Sequence, residues 1–326
     1  MTKTTKKRVL AGMRPTGRLH LGNYLGGAVG MLELQNNPQY ETFYMVADVH
    51  AITTPYDIAK LKHSRKEVIT DYLAAGLDPK KSAIFIQSMI PQHLELQFYL
   101  SSVINVARMQ HLPTYKEKVA QYPKNVTMAL LNYPVLMAAD ILAYKAHEVP
   151  VGIDQESHLE VARQIARNMN EQYGTGFPEP VRFVTKGSYV PSLLGEGKMS
   201  KSVEGSYINL TDSLQAIKEK LAKVPTDTGK GLVLPKSVAD LLTFVDLFMG
   251  EQARQEYERA YTTTGIRYVD LKEKLALAIY QQVEPIQERR AKISGDFVND
   301  VLSDGAKKAA KVAQATVAEV KEKMGF

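Results

Sequence analysis

The sequence predicts an α/β protein: a doubly wound parallel sheet followed by a C-terminal helical part. Three observations predict it. A short apolar run, Val9-Leu10-Ala11, leads through a glycine-rich stretch, Gly12 to Gly27, into a helix-like run from Tyr24 to Leu34. Apolar strand-like runs then alternate with amphipathic helical ones, the order that builds parallel sheets with right-handed crossovers. From about Ser213 onward the periodic segments are all helical.

The elements follow in order. Thr42 to Ala47 is apolar enough for a strand buried on both faces. Ile58 to Ala75 is an amphipathic helix with Leu61, Val68, Tyr72 and Leu73 inward and Gly76 as its stop. Ser82 to Gln87 is a third strand. From Pro91 to Asn170 the pattern is mostly helical, with a basic interlude at Lys116, Lys118 and Lys124. In the run Met128 to Tyr144, Pro134 belongs in a first turn or at a kink. Val149 to Gly152 reads as a strand end, Asp154 to Asn170 as a helix with Leu159, Ala162, Ile165, Ala166 and Met169 inward, and Val181 to Val184 as a last strand. The expected C-terminal helices are 214–224, 238–247, 251–261, 269–284 and 312–324, with Pro285 ending or kinking the fourth.

Composition narrows the class. The chain has 326 residues, 44% apolar and 23% charged, as in ordinary soluble globular proteins. Its apolar runs are all shorter than the roughly 20 residues of a membrane span, and the apolar segment after the basic start is too short for a signal peptide. There is no cysteine. That excludes disulfides, zinc–thiolate sites and cysteine nucleophiles, and fits a reducing cytoplasm. A net charge of +6 tilts towards a polyanionic partner such as nucleic acid. The tail 291–326, with 6 lysines against 5 carboxylates, reads as a solvated helical surface. Tryptophan is absent.

Three groups carry chemistry. A strand, a glycine-rich loop and a helix start are where α/β proteins hold phosphate, because free N–H groups and the helix dipole face the anion. His20 and Asn23 stand at that helix start with Gly22 between them. They suit stabilisation of charge on a phosphate; taken alone, they suit a packed histidine and a helix cap equally well. Lys198-Met-Ser-Lys-Ser202 follows Gly195 and Gly197. Its ammonium groups suit a triphosphate and departing pyrophosphate, although a lysine pair alone is usually solvated surface. It is not a Walker A loop, and residues 12–27 lack a dinucleotide G-x-G-x-x-G fingerprint. Tyr133, Met137, Asp140 and Tyr144 share one helical face. A carboxylate there needs a partner, either a ligand donor, a lysine or a backbone turn.

Taken together, the H-x-G-N motif at His20 to Asn23 and the K-M-S-K-S loop resemble the signature pair of class I aminoacyl-tRNA synthetases. Pro15 to Tyr24, Ala47 to Thr53, Tyr133 to Leu142, Val149 to Gln155 and Lys198 to Ser202 resemble the bacterial-type tryptophanyl-tRNA synthetases, in the expected order along nearly the whole chain. The resemblance implies a Rossmann-like catalytic domain over 1–195 with a helical insertion at about 91–147, a mobile loop over 196–204, and a helical anticodon-binding domain over 205–326. It implies ATP-dependent activation of L-tryptophan and transfer to tRNA(Trp), by a cytoplasmic homodimer, with Mg²⁺ held mainly by the ATP phosphates.

Residue by residue, the resemblance assigns catalysis to His20, Asn23, Lys116, Lys198 and Lys201. It assigns ATP to Arg14, Pro15, Thr16, Gly22, Asn23, Gly152, Ile153, Asp154, Val190, Lys198, Met199, Ser200, Lys201 and Ser202. Asp140 would accept the indole N–H, Tyr133 and Gln155 would hold the ammonium and carboxylate, and Met137, His50 and Val149 would wall the ring. Arg14 stands where many members carry Gln, and Ile153 where Glu is common. Tyrosine as substrate, or a non-catalytic paralogue that binds tRNA or nucleotide, are the alternatives; an aspartate also serves against a phenol.

Overall fold

The computed structural model describes residues 6–184, 187, 189–195, 197–201 and 203–326. In chain order its elements are β1 (Lys7–Met13), α1 (Leu21–Asn23), α2 (Val29–Asn36), β2 (Tyr40–Val46), α3 (Ile58–Ala75), β3 (Ser82–Ile86), α4 (Gln92–Ser101), α5 (Val106–Gln110), α6 (Pro113–Gln121), α7 (Met128–Ala143), β4 (Glu148–Pro150), α8 (Glu156–Tyr173) and β5 (Val181–Phe183). Then come α9 (Leu214–Ala222), α10 (Lys236–Met249), α11 (Glu251–Thr262), α12 (Tyr268–Ala291) and α13 (Gly295–Met324). A π-helical turn, Tyr24–Ala28, joins α1 to α2, so the helix-like run after the glycine-rich loop is not one regular helix. No described helix is long and apolar enough to cross a membrane.

The chain forms two compact units. The first comprises Met1–Gly17, Gly30–Val184 and Ile293–Phe326; the second comprises Arg18–Val29 and Thr185–Lys292. These boundaries differ from a division at 195 and 205, since the last helix groups with the sheet and the glycine-rich loop is split at Gly17.

All five expected strands form, and they make one parallel sheet in the order β3-β2-β1-β4-β5. Val9, Tyr44, Val46, Ile84 and Phe85 have no exposed surface, which is why these strands read as apolar runs without alternation. The chain leaves β1 in one direction along the sheet for β2 and β3 and in the other for β4 and β5. The topological switch point therefore lies between β1 and β4. In such sheets ligands bind outside the carboxyl ends of the strands at that point.

The helices of this unit follow their sequence signals closely. The Asp57 carboxylate accepts the Lys60 N–H at 2.7 Å to start α3, and Gly76 ends it at φ +112°. The five residues expected inward on α8 are all fully buried. Pro134, in contrast, sits in the interior of α7, where it deprives the Leu130 carbonyl of a donor. Burial of the residues on either side of it, among them Leu130, Val135 and Leu136, outweighs that loss.

The C-terminal helix is the main departure. A helical piece was expected over 312–324 in a tail read as a solvated helical surface; instead one helix runs for 30 residues from Gly295 and buries Val298, Val301, Leu302, Ala309, Ala313, Val317 and Val320. A Cβ at Gly305 would lie 1.8 Å from the Ile84 carbonyl oxygen, so only glycine lets this helix lie directly on β3.

In the second unit α12 packs on α9 and α10, and α10 on α11. Helix α12 does not stop at Pro285 but continues to Ala291, with Val283 and Ile286 buried around the proline. The Gln287 amide donates to the Leu210 and Asp212 carbonyls at 2.8 and 3.0 Å, tying the loop before α9 to this helix.

Candidate active site

In the first unit the residues expected at ATP flank the switch point. Arg14, Pro15 and Thr16 follow β1, and Gly152, Ile153 and Asp154 follow its neighbour β4. Arg14 donates to Thr54 Oγ1 at 3.2 Å. Ile153 and Asp154 are exposed in a 3-10 turn, and Lys116 is exposed on α6.

Asp140, on α7, has no exposed surface. Its partner is neither a lysine nor a backbone turn. Oδ1 lies 2.7 Å from Gln87 Nε2 and 2.5 Å from His93 Nδ1, and Oδ2 lies 2.8 Å from His50 Nε2. Burial pushes the carboxyl pKa up, hydrogen bonds from His50 and His93 pull it down, and the net value lies below the ordinary one. The aspartate is therefore an acceptor. His50 comes from the 3-10 turn after β2, Gln87 from the end of β3 and His93 from the first turn of α4. Three sequence-distant elements thus converge on one carboxylate. Behind it, His93 Nε2 lies 2.7 Å from the Tyr144 hydroxyl.

Tyr133 and Gln155 belong to a second network. The Tyr133 hydroxyl donates to Thr114 Oγ1 at 2.9 Å and lies 2.8 Å from His158 Nε2. His158 Nδ1 lies 3.0 Å from Gln155 Oε1. Burial is the main reason the His158 pKa falls to about 4, so the ring is neutral and donates one N–H, to the Gln155 oxygen, while Nε2 accepts. The Tyr133 ring stands edge-on to His50 at 6.4 Å, which links the two networks. Met137 is half-buried one turn before Asp140, and Val149 is buried in β4.

An apolar cleft of about 260 Å³ opens beside these residues, lined by Val49, Ile52, Leu94, Met128, Tyr133 and Leu136 among others. Tyr133 is the one predicted site residue on its wall; Asp140 and Met137 do not reach it.

In the second unit His20 and Asn23 do form a cap. The Asn23 N–H donates to His20 Nδ1, and the His20 N–H donates to Asn23 Oδ1, both at 3.4 Å. The cap has a chemical consequence. Burial, then the charges of Lys201 and Lys198, lower the His20 pKa to about 4. A neutral ring whose Nδ1 accepts must carry its proton on Nε2. The cap therefore fixes a neutral histidine that presents one N–H donor beside two lysines.

Backbone pairing brings these distant segments together. Leu21 N–H donates to the Ile208 carbonyl at 2.9 Å and Leu210 N–H to the Leu19 carbonyl at 3.1 Å. The K-M-S-K-S segment leaves a tight hairpin in which Met199 N–H donates to the Val190 carbonyl at 2.9 Å and Ser192 N–H to the Gly197 carbonyl at 3.0 Å. Met199 then covers the helix start: a Cβ at Gly22 would meet His20 Cε1 at 2.9 Å and Met199 Cβ at 3.4 Å. Val190 and Met199 are buried, Lys198 is exposed, and Ser200 and Lys201 are half-buried. Ser202 lies outside the described residues. No group of three or more His, Asp or Glu among the described residues has the arrangement of a metal site.

Sequence reasoning missed Gln87, His93, Thr114 and His158. Each hydrogen-bonds to a partner on another element, so local periodicity holds no trace of the pairing.

Comparison with known proteins places the chain in a family. Residues 2–284 match the family model described as tRNA synthetases class I (W and Y). The chain is 39% identical over 326 residues to a tryptophan–tRNA ligase of Porphyromonas gingivalis, covering 98% of this chain and 99% of the relative. Its fold superposes on a tryptophanyl-tRNA synthetase from Mycoplasma pneumoniae with a TM-score of 0.87 at 31% identity, over 99% of this chain and 98% of the other. A Campylobacter jejuni tryptophanyl-tRNA synthetase solved with ADP and tryptophan gives 0.83 at 32% identity, over 98% and 100%.

Proposed function

The chain belongs to the class I tRNA synthetases of the tryptophan and tyrosine family, and we infer that it activates L-tryptophan with ATP and transfers it to tRNA(Trp). The observation that carries this reading is the pairing of segment 19–21 with 207–210, which sets the neutral His20 donor beside Lys198 and Lys201. That is the equipment of phosphoryl chemistry run by positioning and charge stabilisation.

The tryptophan carboxylate attacks the α-phosphorus; the bond to the bridging oxygen breaks; tryptophanyl-adenylate and pyrophosphate form. The attacking carboxylate is already ionised near neutral pH, so no general base is needed. His20 Nε2–H donates to a phosphate oxygen, and Lys198 and Lys201 neutralise charge on the departing pyrophosphate. Mg²⁺ bound with ATP would neutralise part of the phosphate charge, held mainly by the phosphates. Lys116 adds a further cation for the phosphates. Arg14 to Thr16 and Gly152 to Asp154 hold the nucleotide at the switch point. Asp140 accepts the indole N–H, Tyr133 and Gln155 hold the ammonium and carboxylate, and His50, Met137 and Val149 wall the ring. A hydroxyl of the terminal ribose of tRNA then attacks the acyl carbon, the bond to the phosphate oxygen breaks and AMP leaves with the hydroxyl proton; the helices after residue 205 would read the unstacked anticodon bases by their edges. A cytoplasmic homodimer is part of the same proposal.

Pyrophosphate exchange into ATP tests it, with tryptophan, tyrosine or neither added. Exchange driven by tryptophan alone is expected. Exchange driven by tyrosine moves the chain to the other branch of its family, and no exchange with either makes it a binding protein.

A further inference from the structure

A carboxylate offers four lone-pair positions. The three donors around Asp140 are unevenly placed: Gln87 and His93 both face Oδ1, while His50 alone faces Oδ2. One acceptor position is left over, and it is on Oδ2.

Which nitrogen of His93 carries the proton decides whether this count holds. The Tyr144 hydroxyl is fully buried, and burial holds its pKa above the ordinary phenol value, so it keeps its proton. Its hydrogen-bond partner is His93 Nε2 at 2.7 Å. Asp140 Oδ1, an ionised acceptor 2.5 Å from Nδ1, requires a proton on that nitrogen; in the neutral ring Nε2 is then bare and takes the Tyr144 O–H. The Tyr144 ring is itself held, stacked on Phe43 at 4.6 Å.

We propose that His93 is a positioning residue for substrate choice: held between Asp140 and the Tyr144 hydroxyl with a proton on Nδ1, it fills Oδ1 of Asp140 together with Gln87, so that Oδ2 alone is left to accept the indole N–H. The proposal rests on the reading of Asp140 as the indole acceptor. Without the His93 donor, Oδ1 regains an acceptor position facing α4, and the buried carboxylate loses the bond that sets its rotation. The incoming N–H then meets an acceptor that is no longer aimed.

Two measurements test this. Nitrogen-15 NMR of the histidine-labelled protein should show His93 protonated at Nδ1 and bare at Nε2, with the signal assigned by its loss in His93→Asn. A bare Nδ1 overturns the proposal. Steady-state kinetics of His93→Leu, His93→Asn and His93→Gln give the second test. The asparagine amide nitrogen stands as many bonds from the backbone as Nδ1, whereas that of glutamine stands one bond further out. His93→Leu should raise KM for tryptophan about tenfold or more, the loss of one charged hydrogen bond, with KM for ATP unchanged. His93→Asn should recover most of it and His93→Gln should not. KM does not depend on how much of a variant folds. If glutamine, closer to histidine in volume, recovers better than asparagine, the role is packing and the proposal fails. Asp140→Asn separates the two levels. A raised tryptophan KM there with none in the His93 variants leaves Asp140 as acceptor and removes His93. An unchanged tryptophan KM in Asp140→Asn removes both.

Discussion

Replacing Asp140 probes fold and substrate choice together, and the two obvious variants separate them. Asp140→Ala strips the acceptor from His50, Gln87 and His93 at once. Each buried donor left unsatisfied costs about 1–3 kcal/mol, so the three together cost about 3–9 kcal/mol, against a total stability of about 5–15 kcal/mol for a typical domain. The alanine variant is therefore expected to be poorly folded. Asp140→Asn keeps the shape. Its oxygen still serves Gln87 and His93, and its amide faces His50, whose ring accepts by changing tautomer. The free position on Oδ2 becomes an N–H, so a bound indole loses a charged hydrogen bond worth about 1.5–3 kcal/mol, or about 10–150-fold in affinity. Pyrophosphate exchange should give a tryptophan KM raised by that factor and an ATP KM little changed. Fluorescence titration reads the same loss directly, because the chain has no tryptophan of its own. Equal losses for both substrates, or an unaltered tryptophan KM, would refute the reasoning. Acid stability supplies a second readout. The native Asp140 pKa lies below its unfolded value of 3.8, so its contribution is complete above about pH 4 and is lost as pH falls through the native value. Asp140→Asn should remove that part of the acid-unfolding curve.

Three further outcomes are expected. His20 titrates near 4 when folded against 6.5 unfolded, so the unfolded chain binds the extra proton between these values and stability falls as pH drops from 6.5 towards 4, by at most about 1.4 kcal/mol per pH unit from this group; His158 adds a like share, so urea midpoints of His20→Asn across this window should show the slope reduced by the His20 share, and an unchanged slope would mean His20 does not contribute. Gly305→Ala drives a Cβ into the Ile84 carbonyl and should cost at least about 1–3 kcal/mol, measured by chemical unfolding, where an open helix position would gain about 1 kcal/mol; a neutral or stabilising effect would mean α13 does not lie on β3 as described. Lys198→Ala should slow single-turnover adenylate formation while leaving tryptophan binding intact, and an unchanged rate would remove the loop from the chemistry.

Much of this protein was legible along the chain. The strands appeared as apolar runs because both faces of the sheet are covered, and α3 and α8 appeared through their periodicity and stop signals. The two loops proposed for phosphate were identifiable as motifs, and Asp140 as a carboxylate on an apolar stripe. Tertiary packing outweighed local propensity at Pro134, Pro285 and Gly305. There, neighbouring buried side chains or a touching backbone decide what a propensity scale counts as a break.

What the sequence determined by itself is therefore what repeats locally or travels as a motif: the strand and helix order, the family, and the residues bearing charge. What only the tertiary structure decided is how those residues are held. His20 is neutral because it is buried and Lys201 and Lys198 stand near it, and its donor is on Nε2 because the Asn23 N–H occupies the other nitrogen. Asp140 is an ionised acceptor with one position open because residues 50, 87 and 93 meet around it. Protonation state and lone-pair occupancy depend on distances between elements far apart in sequence, and those distances exist only once the chain has folded.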